Sequence, residues 1–327
     1  MGKKTEYITA MQSLGILLVV LGHSYPLGVP FPKVYGVIHS YIYSFHMPLF
    51  VCISGFLLYY TGGIKHRYTT FMRKKTVRIL LPYVVISTIL YLPKVLLSRY
   101  ALRGTDVSLT GFLMNIFYPH LNVLGHFWFL PVLFGMFVIS PLILSFTNSN
   151  LRLVLGSAVC LALNLFDPLA DIKLFGLAYL GKLLIFFWIG ILIAKYNSHV
   201  ERLFIRTEFF MLAIAIFLVL NAKWHSNAVT MLFAAGTGIL MSFSFGHIYV
   251  RQEWNVLRML DGYSYQIYLL HWPIEACTFI VVYRIAHVGW LTTCLSMFIV
   301  GLTASLSLVR LAVKYRYRIN PVIGLPA

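Results

Sequence analysis

The chain has 327 residues, of which 60% are hydrophobic and only 11% charged, with a mean hydropathy of +0.83. An ordinary soluble domain, with about a quarter of its residues charged, is therefore excluded. Length alone would allow two soluble domains, but the apolar stretches are long, repeated and joined by short basic connectors. Residues 1–327 therefore read as a single all-α, polytopic membrane domain. The net charge of +17 does not indicate a nucleic-acid partner. The cations sit at the ends of apolar segments, where membrane topology places them, and not on one soluble face.

A helix needs about 20 apolar residues to cross the hydrocarbon core, and ten predicted spans follow in chain order. They are Ile8–Ser24, Val37–Tyr60, Ile79–Leu97, Phe127–Phe146 and Leu153–Phe166, then Leu174–Ala194, Phe209–Leu220, Ala228–Tyr249, Tyr263–Tyr283 and Trp290–Val313. The fifth and seventh are short. The first ends in Gly22-His23-Ser24 with no small-residue cleavage pattern after it, so no cleavable signal is expected.

Alternate connectors are basic. Lys3 and Lys4 precede the first span, and Lys65, Arg67, Arg73, Lys74, Lys75 and Arg78 join the second to the third. Arg152 follows the fourth, Lys195, Arg202 and Arg206 follow the sixth, and Arg251 and Arg258 follow the eighth. Arg310, Lys314, Arg316 and Arg318 close the chain. The positive-inside rule makes that side cytoplasmic and puts both termini there. The longest connector on the other side, Ser98–His126, contains an amphipathic piece, Leu109–Tyr118, suited to an interfacial or re-entrant position. The four cysteines, Cys52, Cys160, Cys277 and Cys294, lie in apolar segments without metal-ligand spacing and read as small buried hydrophobes. No metal site is expected.

Ionisable groups inside spans are costly and mark candidate functional positions. His23 closes the first span. Gln12 lies eleven residues earlier, on the same helix face and roughly 16 Å away. His46 sits beside Pro48, which removes a ladder hydrogen bond, and Ser54-Gly55 allows another helix to approach closely. His271 and Glu275 are spaced i, i+4 around Pro273, so that the carboxylate could raise the basicity of the imidazole. Tyr263, Tyr265, Tyr268 and Trp272 surround them, as an aromatic belt would. His126 and Trp128 open the fourth span, either in the same cavity or in the belt. Lys182, in the middle of the sixth span, needs a partner. The run Arg73–Arg78 is a topology signal, a lipid-phosphate site, or a phosphate clamp in which Lys75 and Arg78 share a helix face.

Four ordered segments resemble the membrane acyltransferase-3 family, in particular the branch similar to fucose 4-O-acetylases. MQSLGILLVVLGH (11–23) is similar to that family's R/K-x10-H motif, ending on His23. YSFHMPLFVCISGFL (43–57) is similar to its second span, FMRKKTVRILLPYV (71–84) to its basic R-x-x-R-x-x-x-P segment, and YSYQIYLLHWPI (263–274) to its late-span signature. WFLPVLF and FFWIGILIAKY resemble weaker middle signatures. Two positions depart from the pattern. Gln12 stands where the family has a basic residue, so the motif is carried by His23 alone or with a neighbouring cation such as Lys4. The basic pair is Lys75 and Arg78, not two arginines.

The resemblance implies an enzyme of the bacterial inner membrane. It would move an acyl group, most often acetyl from cytoplasmic acetyl-CoA, to a sugar hydroxyl of an envelope glycan or lipid-linked sugar. Its partners would be acyl-CoA, that acceptor and membrane lipids. In this reading His23 is the general base, or the site of an acyl-histidine, with His46 and Gln12 as further catalytic candidates. Arg73, Lys75 and Arg78 take the polyanionic CoA. His126, Trp128, Tyr268, His271 and Glu275 line the acceptor or thioester site. Two other readings fit the same residues: a transporter or exporter of glycan or lipid precursors, and an acyltransferase with another donor such as succinyl-CoA.

Overall fold

In the computed structural model, residues 5–30, 32–62, 64, 67–96, 108–222, 227–315 and 320–325 are described. Lys3, Lys4, Lys65, Arg316 and Arg318, the last residue of the third expected span (Leu97) and residues 98–107 of the long connector lie outside them.

Every regular element among the described residues is helical. In chain order they are α1 (Glu6–His23), α2 (Lys33–Tyr60), α3 (Tyr68–Lys75), α4 (Leu81–Leu96), α5 (Leu109–Phe117), α6 (Phe129–Val138) and α7 (Ser140–Ser145). They continue with α8 (Asn150–Phe166), α9 (Leu177–Lys195), α10 (Asn197–Phe204), α11 (Thr207–Asn221), α12 (Ala228–Arg251), α13 (Ser264–Phe279) and α14 (Trp290–Tyr315). A π-helical turn, Thr76–Leu80, joins α3 to α4, and another, Ile280–Ile285, extends α13.

Each of the ten expected spans falls on helix, but not all cross as single rods. Six helices are long and apolar enough to cross a membrane: Glu6–His23, Lys33–Tyr60, Tyr68–Pro93, Leu174–Lys195, Ala228–Arg251 and Trp290–Tyr315. Two bent pairs raise that to as many as eight, if each pair is one span. Gly125–Val138 meets Ser140–Asn148 at 50°, and Asn197–Phe204 meets Thr207–Asn221 at 82°. The first bend coincides with Pro141, which has no N–H to continue the ladder. The second coincides with the extended backbone of Arg206 (φ −85°, ψ 127°). The remaining two segments are shorter, α8 at 17 residues and α13 at 16, so the count of ten rests on them. The amphipathic piece of the long connector is α5, whose N-terminus is capped by Ser108 Oγ accepting from the Gly111 N–H at 2.9 Å.

The chain divides into two compact units, residues 1–62 with 186–309, and residues 63–185 with 310–327; α9 and α14 contribute to both. In the first unit α12 packs against α1, α2 and α11, and α1 also packs against α2 and α13. Met11, Ile16, Leu49, Phe56 and Phe243 are fully buried there. Small residues set the helix spacing. A methyl group at Gly55 of α2 would collide with the carbonyl oxygen of Phe187, and one at Gly190 of α9 with that of Cys52. The close approach expected at Ser54-Gly55 is thus an α2–α9 crossing with backbone on backbone. Ser13 Oγ donates to Asp261 Oδ1 at 3.0 Å, tying the loop before α13 to α1.

Pro48 and Pro273 do not break their helices. α2 runs unbroken from Lys33 to Tyr60 and α13 from Ser264 to Phe279. Each proline deletes one ladder bond while its neighbours hold the helix. Cys52, Cys160 and Cys294 are buried, but Cys277 is exposed, which corrects the expectation for that residue. It points away from the buried stripe of His271 and Glu275, two residues beyond the latter on a helix that turns about 100° per residue.

In the second unit the basic α3 and its π turn pack against α6, and the π turn and α4 pack against the turn Asn320–Ile323. Buried Asn115 and Asn122 stitch the connector after α5. Asn122 Nδ2 donates to Ser87 Oγ (2.8 Å) and to the Asn115 carbonyl (2.9 Å), and Asn115 Oδ1 accepts from the Val123 N–H (2.7 Å). Lys182 finds its partner here too, in Asp167 Oδ2 at 3.6 Å.

Candidate active site

Three histidines from three helices of the first unit converge. His23 is the last residue of α1, His46 lies in the middle of α2, and His271 is in α13. The His23 ring stands edge-on to that of His271, centroids 5.4 Å apart, and edge-on to Trp272 at the same distance. Tyr43 of α2 joins the third, with its ring 6.0 Å from His23 and 4.8 Å from His46. His46 and His271 are buried at 2% and 0% exposure, whereas His23 is only part-buried.

All three use the same nitrogen in the same way. His23 Nδ1 lies 2.8 Å from the Val19 carbonyl, His46 Nδ1 2.8 Å from that of Ile42, and His271 Nδ1 3.0 and 2.9 Å from those of Ile267 and Tyr268. A carbonyl oxygen only accepts, so in each case Nδ1 carries the proton. The neutral ring then presents Nε2 as a lone pair. Neither His46 nor His271 bonds the carbonyl that its neighbouring proline orphans, which would be that of Ser44 or Leu269.

Glu275 lies one turn beyond His271 and is fully buried. Its Oε1 lies 3.0 Å from Ser24 Oγ, whose single proton goes to this oxygen or to the Val20 carbonyl 2.7 Å away. The carboxyl of α13 is thereby joined to the residue immediately after His23. Gly301 of α14 leaves the room for it, since a Cβ there would lie 2.8 Å from Glu275 Cγ.

Around this depth runs a less buried aromatic rim. His39 stacks on Tyr43 at 3.9 Å, Tyr25 is edge-on to His39 at 5.7 Å, and Tyr35 is edge-on to Trp290 at 4.9 Å. Tyr268 is part of this cluster, with its ring 6.1 Å from His271. Ser24, His39, Tyr43 and Trp290 were not foreseen from the sequence. His39, Tyr43 and His46 recur at i, i+4 and i+7, a stripe on one helix face that would have announced two of them.

The other expected residues lie apart from this cluster or in the second unit. Gln12 is on the same face of α1 as His23 but three turns away, about 16 Å along the axis. His126 is buried in the short turn Gly125–Trp128, its ring 4.8 Å from Phe127, and Trp128 rests on Tyr179 at 4.6 Å. Arg73 and Arg78 are exposed. Lys75 lies between them with its ammonium 3.6 Å from the centre of the Phe137 ring and 5.3 Å from that of Phe71. The π turn Thr76–Leu80 begins directly after Lys75 and contains Arg78. Its wider coil rotates Arg78 away from the α-helical i, i+3 register assumed for the pair.

The nodulation protein NolL of Mesorhizobium japonicum is 29% identical over 122 residues, which cover 37% of this chain and 30% of that protein. The match thus spans less than a third of that relative's length. No solved structure matches the chain. The model of the family described as "Acyltransferase domain" matches residues 5–310, an interval that holds the histidine cluster and all four ordered segments. The chain is therefore an integral membrane protein that belongs to the acyltransferase-3 family.

Proposed function

We propose that this protein is an O-acyltransferase, most closely an O-acetyltransferase of the fucose 4-O-acetylase-like branch, working in the bacterial inner membrane with both termini in the cytoplasm. It takes an acyl group from cytoplasmic acyl-CoA and places it on a sugar hydroxyl of an envelope glycan or lipid-linked sugar. The observation that carries this reading is the convergence of three imidazoles, each with Nδ1 on a carbonyl of its own helix.

His23 is the least buried of the three and stands where the family motif ends, so it is assigned as general base. Its Nε2 accepts the proton of the acceptor hydroxyl while that oxygen attacks the thioester carbonyl. The C–S bond then breaks, and the thiolate takes the proton back. His46 and His271 line the site in depth. Tyr268, Trp272 and the rim of Tyr25, Tyr35, His39 and Trp290 offer flat apolar faces, which suit the apolar faces of a sugar ring. The exposed Arg73 and Arg78 with Lys75 are assigned to the phosphates of the donor. His126 and Trp128 are retained as acceptor-side candidates, and Gln12 as a supporting position on the His23 face.

Purified protein incubated with labelled acetyl-CoA and candidate glycans tests the reading. Transfer of label to glycan is the expected result. Glycan flux across vesicles without transfer would replace the enzyme with a carrier. Label transfer from succinyl-CoA in preference to acetyl-CoA would change the donor.

A further inference from the structure

The first unit contains a second polar site that the chemistry above does not use. A cavity of about 580 Å³ is lined by Tyr7, Tyr60, Lys195, Glu201, His247 and Arg251. Tyr7 is the second residue of α1, while Tyr60, Lys195 and Arg251 are the last residues of α2, α9 and α12. The cavity therefore sits at one end of the bundle. His23 closes α1 at the other, about 24 Å along the helix axis.

The wall is built, not incidental. The His247 ring is stacked on Tyr7 with centroids 4.0 Å apart, is 8% exposed, and leaves Nε2 without a hydrogen-bond partner. A buried polar atom of this kind costs free energy unless something bonds to it. Tyr7 OH donates to Asn197 Oδ1 at 3.3 Å, which fixes the start of α10 against α1. The Arg251 guanidinium is held in place by the Ile205 carbonyl (2.8 Å) and Thr207 Oγ1 (3.3 Å). Its fork is oriented, and it keeps further N–H donors.

We infer that this cavity is a binding site for a nucleoside phosphate. Resting on the acyl-CoA reading above, the ligand is the nucleotide end of acyl-CoA, for whose phosphates this cavity is a rival to Arg73, Lys75 and Arg78, and its flexible arm would run along the bundle towards His23. Two cations, Lys195 and Arg251, suit phosphate oxygens. Aromatic faces from Tyr7, Tyr60 and His247 suit a purine. The Glu201 carboxylate would repel a bare phosphate, but it accepts from a ribose hydroxyl or an exocyclic amine, as the Ser198 hydroxyl and Asn197 amide can. This mixture of groups favours a nucleotide over an inorganic anion.

The test uses the full chain in phosphatidylcholine nanodiscs, with ADP and coenzyme A titrated separately by calorimetry. The wild type is expected to bind both. Lys195→Gln combined with Arg251→Gln should weaken both by about tenfold or more, the scale of losing charge-assisted contacts. His247→Phe keeps the ring stacked on Tyr7, guards against loss of fold, and should also weaken both. Binding of ADP that these variants weaken, without binding of coenzyme A, would support the site and end the donor reading. Binding of both ligands that no variant weakens would overturn the site and leave the donor reading standing. Binding of neither would overturn the site. Displacement of ADP by phosphatidylglycerol in the disc would assign the cavity to a lipid headgroup and overturn it as well.

Discussion

His23 and His271 meet edge to face, with centroids 5.4 Å apart and planes at 68°, although they come from opposite ends of the chain. Their shared orientation, each Nδ1–H on its own helix, makes His23 the residue whose loss should be felt most. His23→Ala is expected to lower acyl transfer by roughly a hundredfold to ten-thousandfold, the range of a general base, while membrane insertion is unchanged. Initial rates with labelled acetyl-CoA measure it, and full activity in that variant would remove His23 from the mechanism.

Glu275 and Gly301 should behave as one unit. Gly301→Ala drives a methyl group to within 2.8 Å of Glu275 Cγ and should disturb the bond to Ser24. In a Glu275→Ala background the same methyl group has room. The two substitutions should therefore be non-additive by about 0.5–3 kcal/mol, read from thermal unfolding in detergent. Strict additivity would mean that the contact is not formed.

The α2–α9 crossing predicts a loss of stability without any change of chemistry. Gly55→Ala or Gly190→Ala pushes one backbone off the other and should cost about 1–3 kcal/mol, the scale of overpacking. The check is the melting temperature together with the yield of folded protein. A variant as stable as wild type would show that the helices can separate freely.

For the basic run, Lys75→Met keeps a flexible apolar stem against Phe137 and removes the charge. Paired with Arg78→Ala, it should raise the apparent KM for acyl-CoA and leave kcat for saturating donor nearly unchanged. An unaltered KM would return the run to a purely topological role.

Much of this was legible in the sequence because the membrane imposes one rule throughout. Backbone polar groups must be satisfied within each span, so long apolar runs could only be helices, and each of the ten segments falls on helix, six to eight of them long and apolar enough to cross. The ordered motif around His23, His46 and His271 was also readable, since an ionisable group in a span stands out. What hydropathy could not reveal is how segments bend and pair. Pro141 marks a bend at a helix start, whereas Pro48 and Pro273 leave theirs intact, a difference that neighbouring helices decide. The expected His271–Glu275 pair rested on spacing along α13. The carboxyl instead reaches Ser24 of another helix, a contact encoded in no local pattern. Cys277 was misjudged because apolar surroundings in sequence say nothing about which face a residue occupies.

The Nδ1–carbonyl bonds have a kinetic corollary. A catalytic histidine of the serine-protease kind hands its second nitrogen to a carboxylate, which stabilises the charged ring. Here that nitrogen is committed to the helix that carries it, and a peptide carbonyl gives weaker support to a cation than a carboxylate does. An imidazolium formed at His23 would accordingly be short-lived. Its one movable proton would leave by the route it entered, so each turnover would end where it began, with the acceptor's proton passed to the departing sulfur and no relay to reset.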